Sequence, residues 1–260
     1  MIARRIDGGW SLIRQVDHAA HAGRIARAWR MGPYGAPSVS DALLEATGMH
    51  DLGWAEIDSA PELDAEGHPL NFTGIDEERH TRFYSAAVRT IARSNPYAAY
   101  LVSLHASGLY SGRYAWAGLK PVDWEEIGPR GRELLEGERR FRAELATTIA
   151  APQLEFEGAW RDYMLLETFD YLSLLTCFGF DSDGCGPVPA WPGRWGRMSV
   201  RRLGPWEVEL DPFPFEGADL VVEVDRVQLV GSVGTEEELR REFASAPRVS
   251  QRTVYLAPPG

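Results

Sequence analysis

A chain of 260 residues with 44% apolar and 25% charged content has the composition of a folded protein, with room for one large core or a main domain and a small appendage. Its formal net charge of −11 argues against nucleic acid or an anionic membrane surface as a partner. No run of about eighteen apolar residues suggests a membrane span, and two cysteines, Cys177 and Cys185, cannot build a disulfide scaffold.

The opening MIARRIDGGWSLIRQ lacks the apolar stretch of a secretory signal, so a cytoplasmic protein is the expectation. From about Ile13 to Arg30, Ile13, Val16, Ile25 and Trp29 recur at roughly helical spacing, and Gly32-Pro33 ends the run. Ser40 is a suitable N-cap for a second helix through Leu43, Leu44 and Thr47 that stops near His50-Asp51. Residues 58 to 75 read as a long loop. Residues 76 to 94 predict a helix with acidic residues in its first turn and arginines in its last, as the helix dipole prefers. The run YAAYLVSLHASGLY predicts a buried helix over 97–110, 129–150 a charged and exposed one, and 155–178 an amphipathic one rich in aromatics.

After Gly179 glycine and proline crowd the chain to residue 205. Period-two runs follow, WEVEL, LVVEVDRVQLV and QRTVYLAP, with the pattern of strands. The expected fold is therefore mainly α, with a helical domain over 1–180, then a Gly/Pro-rich connection and a small antiparallel β element over 181–260 packing on it. The basic island RWGRMSVRR within that connection reads as a solvated hairpin face.

Four of the six histidines, His18, His50, His80 and His105, fall on four successive predicted helices or helix ends, each about one helix and a connection from the next. Successive helices can thus place one imidazole each around a common centre. His105 is embedded in apolar and small residues, and a buried imidazole needs a partner. Asp170, in LLETFDYLSLLTC, is a buried carboxylate candidate of the same kind, costly unless paired. Asp17, beside His18, either orients a ligand imidazole or faces solvent. Taken together, the four imidazoles and two carboxylates point to a metal site.

The order of these residues, His18, His50-Asp51, His80, His105 and Asp170, resembles that of the HD-domain superfamily. The flanks QVDHAAHAGRIARAW, MHDLGW, HASGLY and LDPFPF further resemble an uncharacterised bacterial family, domain-of-unknown-function family 3891, over most of the chain. The HD resemblance implies a helical HD core and up to two divalent ions, among Fe, Mn, Zn, Ni or Co. It implies that His18, His50, Asp51 and Asp170 bind the first, and that Asp51 bridges to a second held by His80 and His105. His21, one turn from His18, is an alternative ligand or a pocket residue, and His68 in the Pro/Gly loop is surface or lid. Many HD enzymes carry a lysine or histidine soon after the His-Asp pair, where this chain has Trp54.

By the same resemblance the expected activity is hydrolysis of a small phosphate ester through a dinuclear centre. Asp51 and Arg113 are the expected catalytic residues, and His21, Trp54, Arg82, Tyr84 and Tyr110 the expected pocket. A di-iron oxygenase of a small molecule and a non-catalytic metal sensor or scaffold are the alternatives. The sequence leaves the oligomeric state open.

Overall fold

The computed structural model describes residues 1–30, 39–112, 120–190, 194–231 and 233–259. A hairpin of β1 (Ile2–Ile6) and β2 (Gly9–Ile13) opens the chain. Helices α1 (Gln15–Ala28), α2 (Asp41–Met49), the short α3 (Ala55–Ser59), α4 (Glu77–Ile91), α5 (Pro96–Ser111), α6 (Pro129–Leu145), the single turn α7 (Ala151–Leu154) and α8 (Phe156–Cys177) follow. The chain then forms β3 (Gly184–Ala190), β4 (Arg194–Gly204), β5 (Glu207–Asp211), β6 (Asp219–Val230), α9 (Glu236–Ser245) and β7 (Arg248–Leu256).

All seven strands belong to one sheet in the order β1-β2-β6-β7-β5-β4-β3, antiparallel except for the parallel β5–β7 pair. This corrects the expectation of a mainly α, all-helical core with a small antiparallel C-terminal element. The N-terminal hairpin escapes sequence reading because its strands are five residues each and its edge strand carries Arg4 and Arg5. Such charges suit an exposed edge but break the apolar alternation. Its turn is Asp7-Gly8, with Gly8 at φ 77°, where glycine alone carries no Cβ penalty. At the opposite edge, β3 contains Pro187 and Pro189, which lack a ladder donor and are tolerated in an edge strand.

The helices obey their local signals. The Ser40 side chain caps α2 by accepting from the Leu43 amide, Asp76 caps α4 from Arg79, and Asn95 caps α5 from Ala98. Helix α9, with a Thr235 cap and three glutamates in its first turn, was not foreseen. One face of the sheet packs on the helices, where Val188, Met198, Val200, Val208, Leu210, Val222 and Tyr255 join the core of α1, α2, α5 and α8. At the hairpin end, Leu239 of α9 covers Ala3, Leu12, Val227 and Leu229 in a second cluster.

Two arginines clamp the end of α8 to the sheet. Arg202 of β4 donates to the Leu175 carbonyl at 2.8 Å and Arg4 of β1 to that of Thr176 at 3.3 Å, where the helix presents unpaired carbonyls and partial negative charge. This anchoring fixes the face of α8 from which Glu167, Asp170 and Ser173 project. Close helix contact fixes the other side. A Cβ on Gly23 of α1 would stand 3.1 Å from the Gly48 Cα of α2, and one on Gly53 would strike the Phe83 carbonyl of α4.

Candidate metal centre

The residues singled out from the sequence converge in part. His18 leaves α1, His50 caps the C-terminus of α2, Asp51 follows it, His105 leaves α5 and Asp170 leaves α8. All five residues are no more than 3% exposed. Candidate ligand atoms of His18, His50 and Asp51, and of His50, His105 and Asp170, lie within 4.8 Å of one another, and the two groups share His50.

Hydrogen-bond direction tells which ring nitrogen faces inward. His50 Nδ1 lies 2.8 Å from the Thr47 carbonyl, which only accepts, so Nδ1 carries the proton. Nε2 then faces Asp51 Oδ2 and Asp170 Oδ1, each at 3.4 Å, and makes a well-formed hydrogen bond with neither. His105 Nδ1 lies 2.7 Å from Glu167 Oε1, an arrangement in which an ionised carboxylate fixes the same tautomer.

His18 reaches that state through a relay. The Thr253 hydroxyl of β7 donates to the Val222 carbonyl at 2.9 Å, so its oxygen accepts from His21 Nε2 at 2.8 Å. His21 Nδ1 must then accept from the Ser173 hydroxyl at 2.8 Å, and Ser173 Oγ in turn accepts from His18 Nδ1 at 2.7 Å. His18 Nε2 turns to Asp170 Oδ1 at 2.7 Å and shares a proton with it. Three imidazoles thus present Nε2 toward two carboxylates, each held from behind at Nδ1. Such backing is what oriented histidine ligands need.

Electrostatics reflect the crowding. Burial opposes charge on His50, but the Asp51 and Asp170 carboxylates outweigh it and push the imidazole up to about 10. For Asp170, burial favours the neutral form, and the His50 and His18 imidazoles overcome it to hold the carboxyl well below the usual range. Burial pushes the Glu167 carboxyl up to about 7, against the pull of His105. A buried cluster with this carboxylate content needs positive charge, from protons or from a cation. The donors are imidazole and carboxylate. Burial pushes both the Cys177 and Cys185 thiols up to about 12, which disfavours thiolate ligation. The buried His/Asp groups can therefore hold a metal ion.

The remaining predicted residues fall at different distances from this centre. His80, half-buried on α4, lies outside both groups of ligand atoms. Its Nδ1 is 2.6 Å from the Tyr110 hydroxyl, its ring contacts Trp54, Tyr84 and Tyr110, and burial pushes its pKa down to about 4. Tyr84 donates to Asp51 Oδ1 at 2.8 Å, and its ring centroid lies 5.0 Å from that of His80 and 5.6 Å from that of His105. His21 sits in the relay behind His18, so its ring nitrogens face Ser173 and Thr253, and burial pushes its pKa down to about 3. Arg82 stacks on Phe83 and borders a surface groove with Glu78 and Arg130. Asp17 pairs with Arg14 at 2.6 Å, and the exposed His68 lies against Trp10. Arg113 lies outside the described residues.

Sequence reading passed over Glu167, Ser173 and Thr253. Glu167 and Ser173 stand three residues to either side of Asp170, on one helical face. The argument that an isolated charge in LLETFDYLSLLTC is expensive applied equally to Glu167.

A model of the family described as "Protein of unknown function (DUF3891)" matches residues 1–230. This chain belongs to that family. The DUF3891 match spans β1 through β6 and includes every candidate ligand; the last link of the relay, Thr253, lies beyond it. No curated protein and no solved structure matches the chain.

Proposed function

We propose that this DUF3891 protein is a metal-dependent hydrolase with an HD-type ligand order, acting on a small phosphate ester. In this reading His18, His50, Asp51 and Asp170 hold a divalent cation and His105 completes the set. The observation that carries it is the common orientation of the three imidazoles, each hydrogen-bonded from behind at Nδ1 with Nε2 turned to the carboxylates. The choice of phosphate esters rests on the likeness to the HD superfamily, an argument by analogy.

A bound divalent cation supplies Lewis acidity and acidifies water. The chain's own groups do the rest. Tyr84 occupies Asp51 Oδ1, which leaves Oδ2 facing the centre as the atom that would hold the ion. His80, less buried than the other histidines of this group, marks the approach side with Tyr110 and Trp54, and this aromatic wall excludes water from one flank.

One ion is the favoured occupancy. A second ion bridged by Asp51 to His80 and His105 requires the Tyr84 hydroxyl to leave Asp51, because the phenol ring stands beside both imidazoles. Elemental mass spectrometry on protein purified without added metal or chelator, beside Asp170→Ala, is the test, followed by a phosphate-ester screen. About one manganese, zinc, nickel or cobalt ion per chain, lost in the variant, with phosphate release, supports the proposal. Two irons with oxygen consumption would replace it with the oxygenase. No metal in either protein would overturn it.

A further inference from the structure

A cavity of about 400 Å³ lies among α5, α6 and α8, within the size range of small-molecule sites. Leu104, Ser107, Gly108 and Ser111 form its α5 wall at helical spacing. His105 leaves the same helix about 100° round from Leu104 and reaches Glu167 instead. The cavity therefore belongs to a different face of α5 from the metal centre.

Its polar lining is unusual for an acidic chain. Arg139 and Arg142, three residues apart on α6, both border it, and neither forms an ion pair with any carboxylate whose side chain is described. Arg89 pairs directly with the buried Glu138 carboxylate, whose Oε2 also accepts from the Ser103 hydroxyl at 2.8 Å, so Glu138 reaches Arg142 only through Ser103. Arg142 is held by Nη1 alone, which donates to the Ser103 carbonyl and to the Ser103 and Ser107 hydroxyls at 2.8–2.9 Å. These are neutral acceptors. They fix the guanidinium without neutralising it, and burial pushes its pKa down, as expected of a cation short of a counter-charge.

The other walls are aromatic: Trp124, which is 42% exposed at the rim, with Trp160 and the buried Tyr163 deeper in. A guanidinium fork matches a carboxylate or phosphate, and flat aromatic faces match a flat ring. Glu136 on the rim disfavours a ligand with negative charge at both ends.

We propose that this cavity is a second ligand site, independent of the metal centre, for a small anion with a flat ring as its body. Arg139 and Arg142 bind the charged group, and Trp124, Trp160 and Tyr163 contact the ring. The site does not depend on the hydrolase reading, because none of its residues reaches the His/Asp cluster.

Isothermal titration of the full chain with benzoate, phenyl phosphate and inorganic phosphate tests it, with Arg139→Ala and EDTA-treated protein alongside. Arg139 is exposed, so its replacement leaves the fold intact. The expected result is one ring-bearing anion per chain, bound at least tenfold tighter than inorganic phosphate. Arg139→Ala weakens it about tenfold, and EDTA leaves it unchanged. Benzoate over phenyl phosphate would assign a carboxylate ligand, and the reverse a phosphate ester. The proposal is overturned if neither ring-bearing anion binds at millimolar concentration, or if inorganic phosphate binds equally well. It is overturned too if binding survives Arg139→Ala but vanishes with EDTA, since the metal centre would then be the site.

Discussion

His21 and Ser173 share a 2.8 Å hydrogen bond whose direction is dictated from the sheet, because Thr253 has already spent its only proton on the Val222 carbonyl. Ser173 is therefore a donor to His21 and an acceptor from His18. Replacing Ser173 with alanine frees the His18 tautomer while removing only one oxygen from α8. We expect Ser173→Ala to weaken divalent-cation affinity by about 10- to 100-fold, the range typical for such backing groups, with unchanged far-ultraviolet circular dichroism. An affinity within twofold of the parent protein would show that the relay does not orient His18.

On the proposed reading, removal of the cation should be felt as lost stability, since the cluster that would hold it is closed and rich in carboxylate. A ligand present at a hundred times its Kd stabilises the folded state by about 2.7 kcal/mol. In a chain of this size that corresponds to a fall in Tm of about 5–10 °C on chelation. Re-addition of the ion found by mass spectrometry should restore it. A Tm indifferent to both treatments would leave the cluster without a metal.

Acid should destabilise the protein through His21. Its folded-state pKa is pushed down to about 3 by burial, whereas an unfolded histidine titrates near 6.5. Between those values the unfolded chain binds a proton that the folded chain refuses, so stability falls as pH falls, by up to about 1.4 kcal/mol per unit. Urea unfolding at pH 7 and pH 5 should show a loss of about 2 kcal/mol from this residue. His21→Gln should lose correspondingly less across the same interval. An equal loss in both proteins would mean that His21 is not held neutral.

Gly53 is a steric requirement of the site. Any Cβ there would strike the Phe83 carbonyl and push the 3₁₀ turn Leu52–Trp54 away from α4, taking Asp51 with it. We expect Gly53→Ala to cost about 1–3 kcal/mol, the usual penalty for overpacking, and to lower metal content disproportionately. Thermal unfolding and elemental analysis on the same preparation would check this. Full metal occupancy despite a lowered Tm would uncouple the turn from the site.

What the sequence revealed depended on whether the signal was local. Ser40 announces its helix because a cap and apolar residues sit within a few positions of each other, and the charge gradient of residues 76 to 94 marks α4. The juxtaposition of His18, His50, Asp51, His105 and Asp170 was readable from their order on successive helices, though His80 sits beside that group rather than in it. The sheet was readable only in part: the period-two runs mark β5, β6 and β7, but not the other strands that join them. Its strands come from both ends of the chain, β1 and β2 are five residues each and β1 is charged, and β3 is built from glycine and proline that a buried strand would refuse. The relay was hidden for the same reason. Ser173 and Thr253 are ordinary hydroxyls until β7 is brought against α8.

That distance along the chain has a consequence for biosynthesis. The relay runs from Thr253 on the last strand to His18 on the first helix, and Asp170 sits between them in sequence. A nascent chain emerging from the ribosome carries His18, His50 and His105 long before Thr253 arrives to set the proton order behind them. Assembly therefore has to close its longest loops last, a slow class of contact. The proposed cation site is accordingly fully oriented only once β7 has been made and has joined the sheet.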